Sequence, residues 1–279
     1  LVYIAIAALL WSSSGIFIKV LTLTALQISF FRSLVAAATI VTVLRIQGRK
    51  PEFHLRWVDV ICPLCYAMTV ILFVTATKLT TAANAIFLQF TAPIYLLFLE
   101  PWVFKRPIGR MDIIAVLASM GGMALFFAGH LELGGLIGNL LSISSGICLA
   151  IFSILLKWKR TAHPLEDPIS AIILGNLAVG LLCLPFVFPL HLNVGQAASL
   201  LYLGIFQLGL SFMLFTAGQR YVSATAAAIT SMLEAVINPF WVFLGIGEKP
   251  SPFAMAGGLI VLMVILWYNV RSAGKPQLT

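Results

Sequence analysis

Apolar residues along the chain come in ten long runs, separated by short gaps that collect Lys, Arg, Pro and Gly. The approximate limits are 2–20, 28–44, 57–77, 81–104, 111–129, 135–156, 168–190, 198–218, 222–246 and 252–270. An α-helix of roughly 20 apolar residues crosses the hydrocarbon core of a bilayer. The runs have that length, about twice that of a barrel strand, and lack the period-two alternation of a barrel wall. The pattern therefore predicts membrane-spanning helices. The first run is followed by nine more of its kind, so it reads as a span and not as a cleaved leader.

Composition strengthens this picture. Of 279 residues, 61% are hydrophobic and 9% charged, against about 45–50% and 25% in a soluble domain. So few charges cannot cover a water-facing surface, and no stretch has room for an ordinary soluble domain. The net charge of +8 does not point to nucleic acid, because no basic patch is interleaved with aromatics. The basic residues sit in the gaps and report topology. One alternate set of gaps holds Arg45, Arg49, Lys50, Arg56, Lys105, Arg106, Arg110, Lys157, Lys159, Arg160, Arg220, Arg271 and Lys275; the other holds Lys19, Lys78 and Lys249. Thirteen against three puts the first set, and both termini, in the cytoplasm. Arg32 falls inside the second run, towards the expected outer side with Lys19 and Lys78. These three either draw an anionic group to the outer mouth or snorkel and anchor helix ends. Asp59 and Asp112 open the third and fifth runs, where acidic residues complement a helix N-terminus. Glu100 and Trp102 read as interfacial. Cys62 and Cys65 have C-x-x-C spacing inside an apolar run with no His nearby, so they read as small buried residues. The chain begins at Leu1, not Met, which points to a start upstream of it.

The two halves resemble each other. Leu9-Leu10 with Ser13-Ser14-Gly15-Ile16 matches Leu140-Leu141 with Ser144-Ser145-Gly146-Ile147, and Ile28-Ser29 matches Ile169-Ser170. From the third run onward an offset of 142 aligns Phe73 with Phe215, Ala82 with Ala224, Ala85 with Ala227, and Pro93 with Ala235. Residues 1–130 and 131–279 then form two five-helix repeats of one membrane domain. Five is odd, so the second repeat enters the bilayer inverted relative to the first. Inverted repeats suit alternating access around a site near the midplane.

Polar residues inside the runs are the candidates for that site. Glu234 is the acidic residue placed near a membrane centre, where a charge costs a few kcal/mol and marks a site by default. It either binds a substrate ammonium group or a coupling proton, or it is a structural carboxylate bonded to a neighbouring helix. Helical spacing sets Thr230, Ser231, Glu234, Asn238 and Trp241 on one stripe. Gln89 is the repeat counterpart of Ser231, and uncharged Ala92 that of Glu234. Tyr66, Thr69 and Phe73 share a face of the third run, and Gln207 and Ser211 lie one turn apart in the eighth. These either line a cavity or bond between helices. Trp11 and Ser13 sit mid-run in the first, too deep for an interfacial anchor. The series Gly134, Gly138, Ser142, Gly146, Ala150 predicts close helix packing. Pro93 and Pro239 break a backbone hydrogen bond each, as hinges or as static kinks.

Several motifs resemble the drug/metabolite transporter superfamily, in particular its ten-span EamA-type members. They are Leu10-Trp11-Ser12-Ser13-Ser14 with Lys19, Phe31-Arg32-Ser33 with Ala36-Ala37-Ala38, and Leu233-Glu234 followed by Gly247-Glu248. Ala235 stands where the family's second half usually has Pro, and Arg106 where the first half commonly has Glu. The resemblance implies a secondary transporter of small metabolites in a bacterial inner membrane. It leans towards amino-acid exporters, the aromatic ones foremost, with export of cationic drugs as the rival. It implies no cofactor or metal; the partners expected are a small-molecule substrate and lipid, and the oligomeric state is open. A channel is less favoured, having no recognisable filter sequence. An intramembrane enzyme lacks its motifs, since neither H-E-x-x-H nor G-x-S-x-G occurs.

Overall fold

The computed structural model describes residues 1–14, 17–18, 21–105, 107–128, 135–190, 192–237, 241 and 251–273. Asn238 and Pro239, together with Lys19, Arg106, Gly134 and Glu248, lie outside the described residues. Each apolar run contains a helix. They are α1 (Val2–Trp11), α2 (Ala25–Ile46), α3 (Trp57–Leu79), α4 (Ala82–Phe104), α5 (Arg110–Phe126), α6 (Leu136–Ala162), α7 (Ile169–Phe186), α8 (Val194–Gly218), α9 (Ala224–Ile237) and α10 (Pro252–Ala273). Among the described residues, seven are long and apolar enough to cross a membrane: α2, α3, α4, α6, α7, α8 and α10. The fold leaves large apolar side chains such as Leu117, Leu181, Leu259 and Leu266 exposed on the bundle's outside. Such a surface is unsuited to water and suited to lipid.

The helix starts follow from local chemistry. Thr24 and Gln27 form a reciprocal capping box at α2, which satisfies orphan N–H groups that lipid cannot. Asp59 opens α3, accepting from the Arg56 backbone, and Asp112 opens α5, accepting from the Gly109 N–H. Both also reach further. Asp59 pairs with Lys159 of α6 at 2.5 Å, and Asp112 accepts from the Tyr268 hydroxyl of α10 at 2.6 Å. Glu100 is not interfacial. It is buried, and its carboxylate accepts the Ala224 and Thr225 N–H groups at 3.0 and 2.9 Å. One helix thereby caps the N-terminus of another, because an anion there meets both free donors and the helix dipole.

Helices α4 and α9 are each interrupted. Thr81 caps α4 and Ser223 caps α9, each through its hydroxyl to the N–H three residues on. The first helical stretch of α4 ends at Gln89 and the next begins at Ala92, with Phe90 and Thr91 in a turn between them. In α9 the stretch ends at Ser231 and the turn is at Met232. Thr81 and Ser223, like Phe90 and Met232, are 142 residues apart. Pro93 explains part of the first break, since it has no N–H for the Gln89 carbonyl. The second break has Ala235 at the corresponding place. Its local cause is in part hydroxyl competition: Thr230 and Ser231 donate back to the Ala226 and Ala227 carbonyls.

Glycines set the close approaches. A Cβ on Gly146 would lie 2.8 Å from the Gln89 carbonyl oxygen, the one Pro93 leaves without its helical donor. A Cβ on Gly138 would lie 2.8 Å from Thr80. The small-residue face of α6 thus brings α4 into contact. Helix α6 also packs along α3, while α1 packs against Ser211–Gly218 of α8 and the first stretch of α9. Helix α2 packs on α7 and α8, α7 on α3, and α5 on α10. Within α8, Leu203–Leu210 is wound as a π-helix, where Gly204 lets the backbone approach the Arg32 carbonyl of α2. A π segment changes which face its side chains occupy, a distortion frequent at functional sites.

Candidate functional site

The two interrupted helices meet α1, α2, α3, α6 and α8 around a cavity of about 740 Å³, open mouth included. Of the residues singled out in the sequence, Trp11, Thr69, Gln89, Pro93, Gln207, Ser231 and Glu234 line it. Ala92, opposite in the repeat to Glu234, lines it too, so one wall carries a carboxylate where its counterpart carries a methyl group. The rest of the wall is largely apolar, with Phe73, Phe90, Phe212 and Phe215 prominent. The Trp11 ring sits 4.9 Å from that of Phe212 and 5.3 Å from that of Phe215, both tilted. Gln89 is positioned by its amide, which donates to Ser145 of α6 at 2.9 Å, while Ser145 donates to the Thr69 carbonyl at 3.0 Å.

Other candidates point elsewhere. Tyr66 is fully buried and exchanges hydrogen bonds with Asn176 of α7. Ser211 is fully buried and donates to carbonyls of its own helix, Gln207 and Leu208. The Ser13 hydroxyl is bonded to that of Tyr202 at 3.1 Å. Trp241 donates its ring N–H to Ser12 at 2.6 Å. The expected stripe on α9 also divides. Ser231 and Glu234 face the cavity, whereas Thr230 accepts from Asn269 of α10. Thr230 and Ser231 are neighbours in one unbroken helical stretch, about 100° apart around its axis, so they meet different partners.

Arg32 corrects the sequence reading most. It does not snorkel at a helix end. It is the eighth residue of α2, about 10 Å along the axis at 1.5 Å per residue. It is 2% exposed and lines the same cavity as Glu234. Its Nη1 lies 3.5 Å from the Gln207 Oε1, at the limit of a hydrogen bond. No ion pair within 4.0 Å joins Arg32 to Glu234 among the described residues. A signal for Arg32 did exist, since it is the basic residue that does not fall in a gap. The aromatic wall had a fainter one, because Phe73 and Phe215 are repeat counterparts.

A bundle with a largely apolar, aromatic-walled cavity that carries a few polar groups between interrupted helices can hold a small molecule away from lipid and water. Comparison with known proteins agrees. The model of the EamA-like transporter family matches residues 1–128 and again 136–270. Two uncharacterized transporters of Archaeoglobus fulgidus are similar to the chain. One is 27% identical over 202 residues, 71% of each chain, and the other 24% identical over 277 residues, 93% of each. A solved crystal structure superposes with a TM-score of 0.82 over 98% of both chains at 13% identity, a likeness of fold alone. The chain is an integral membrane transporter belonging to the EamA-like family of the drug/metabolite transporter superfamily.

Proposed function

We propose that the protein is a ten-span secondary transporter built of two inverted five-helix repeats, residues 1–130 and 131–279, with both termini cytoplasmic. It moves small metabolites by alternating access through the central cavity. Three observations support the repeat: the family model matches each half separately, the caps and interruptions of α4 and α9 correspond, and the packing is reciprocal. Exchanging each of α1 to α5 with its partner among α6 to α10 turns the α1–α8 contact into α6–α3, and α2–α8 into α7–α3. It leaves α2–α7 and α5–α10 unchanged. Packing of this kind gives two equivalent states in which opposite ends of the cavity open. Pro93 and Pro239 serve as hinges in this reading.

The substrate class we favour is amino acids, aromatic ones first, exported across a bacterial inner membrane; the direction and the membrane come from the family resemblance. Glu234 in an aromatic-walled cavity is the observation that carries it. Its carboxylate binds the ammonium group or a coupling proton, while Trp11, Thr69, Gln89, Gln207 and Ser231 contact the rest of the substrate. Tyr66, Ser13, Ser211 and Trp241 hold the surrounding helices. The test is counterflow in proteoliposomes, with and without an imposed pH gradient. Wild type is expected to exchange labelled tryptophan or phenylalanine, and Glu234→Gln to lose at least ten-fold in rate. Equal rates for the two proteins at every pH would remove Glu234 from the mechanism, and absence of counterflow would favour a channel.

A further inference from the structure

We infer that Arg32 is the carboxylate anchor of the central cavity, so that the site takes zwitterions and rejects molecules carrying only the positive charge. This rests on reading that cavity as the substrate site. The Arg32 side chain is almost completely buried, and its Nε has no hydrogen-bond partner among the described residues. Its Nη1 reaches Gln207 Oε1 only at 3.5 Å. A guanidinium inside a membrane protein without a direct counter-ion costs several kcal/mol, and such residues persist where a ligand or ion uses them. The backbone is arranged to keep this one there. Gly204, in the π segment of α8, lies so close that a Cβ would come within 2.9 Å of the Arg32 carbonyl and 2.4 Å of Val35. That contact seats the Gln207 turn beside the guanidinium.

The cavity therefore places a guanidinium and a carboxyl group on two helices, Arg32 on α2 and Glu234 on α9, beside the Trp11 and Phe212 rings. A planar guanidinium accommodates a carboxylate through two parallel N–H donors. A molecule bearing both a carboxylate and an ammonium neutralises both protein charges when it binds. A bare cation pairs Glu234, leaves Arg32 without an anion and adds like charge beside it. A bare anion does the converse. The same carboxylate that suits a cationic drug is thus set against one by its neighbour, which is specificity by an unpaired buried charge.

The test uses the purified full-length transporter and one aromatic framework with its charges removed in turn: tryptophan, tryptamine and indole-3-propionate. Competition against labelled tryptophan counterflow gives their relative affinities. Wild type is expected to prefer tryptophan over each analogue by at least ten-fold. In Arg32→Gln the tryptophan affinity falls at least ten-fold and the tryptamine affinity does not fall, so the preference collapses. Arg32→Lys, which keeps the charge and loses the planar fork, is expected to lie between. The wild-type ranking is a test that stands even where Arg32→Gln fails to fold. Equal recognition of tryptamine and tryptophan by wild type overturns the inference, as does an unchanged ratio in the folded Arg32→Gln protein. In both outcomes a retained Glu234→Gln defect leaves the cavity reading intact. Recognition of none of the three by wild type overturns the aromatic amino-acid reading and this inference with it.

Discussion

At the scale of single residues, the buried charges divide into those that hold the fold and those that face the cavity. Asp59 and Lys159 belong to the first kind. Their side chains are 1% and 3% exposed and 2.5 Å apart, with Ser170 also accepting from the ammonium. Arg56 joins Asp59 to Glu166, and its guanidinium holds the Glu166 carboxyl below the usual range, so that acid is charged at neutral pH. Removing one partner of the buried pair strands the other. Asp59→Asn is expected to destabilise the protein by about 3 kcal/mol, the low end for buried pairs, because α3 begins only two residues earlier. Adding Lys159→Met to it should recover much of that loss. Thermal unfolding in detergent reads both; equal midpoints for wild type and Asp59→Asn would contradict the assignment. Arg32 and Glu234 are the contrasting case. Each lines the cavity, and neither has an ion-pair partner within 4.0 Å among the described residues.

At the scale of elements, the interruptions in α4 and α9 matter more than the prolines that drew attention to them. Both helices break at corresponding positions, but only α4 has a proline there. Pro93 therefore tunes an interruption that hydroxyl back-bonding and helix packing also produce. Restoring an N–H by Pro93→Ala lets the Gln89 carbonyl regain a helical bond and stiffens the joint. The hinge reading predicts that Pro93→Ala slows counterflow several-fold while the half-saturating substrate concentration changes less than two-fold. A variant with wild-type rate would make the interruption a static kink. The sequence showed the apolar stripe and the prolines, because both are written in local residue types. It did not show the division of the α9 stripe: Thr230 and Ser231 sit about 100° apart around one helical stretch, and only the packing decides that one meets α10 and the other the cavity.

At the scale of the whole molecule, the charge asymmetry and the repeat fix the expected topology. Single cysteines placed in a variant lacking the four native ones test it. Leu165, fully exposed in the α6–α7 connection, lies on the proposed cytoplasmic side, and Val194, 88% exposed at the start of α8, on the outer side. In intact cells an impermeant maleimide is expected to label Val194→Cys and to label Leu165→Cys only after lysis. The reverse pattern would invert the protein, and labelling of both in intact cells would break the ten-span count.

The sequence by itself determined the class of molecule: helical, embedded in lipid, with a likeness between its halves and a carboxylate at depth. Those properties depend on composition, on period and on spacing along the chain, and each can be counted. Only the tertiary structure decided which polar groups face the cavity. Tyr66 and Ser211 looked equal to Thr69 and Gln207 but turn into helix contacts. Glu100 looked interfacial and caps α9. Arg32 looked like an anchor at a membrane surface and stands beside the cavity with Glu234. A polar side chain within a membrane helix must find a partner or a cavity. Ser211 finds its partner on its own helix, but Tyr66, Glu100 and Arg32 meet groups on other helices, at a distance in sequence that no local pattern records.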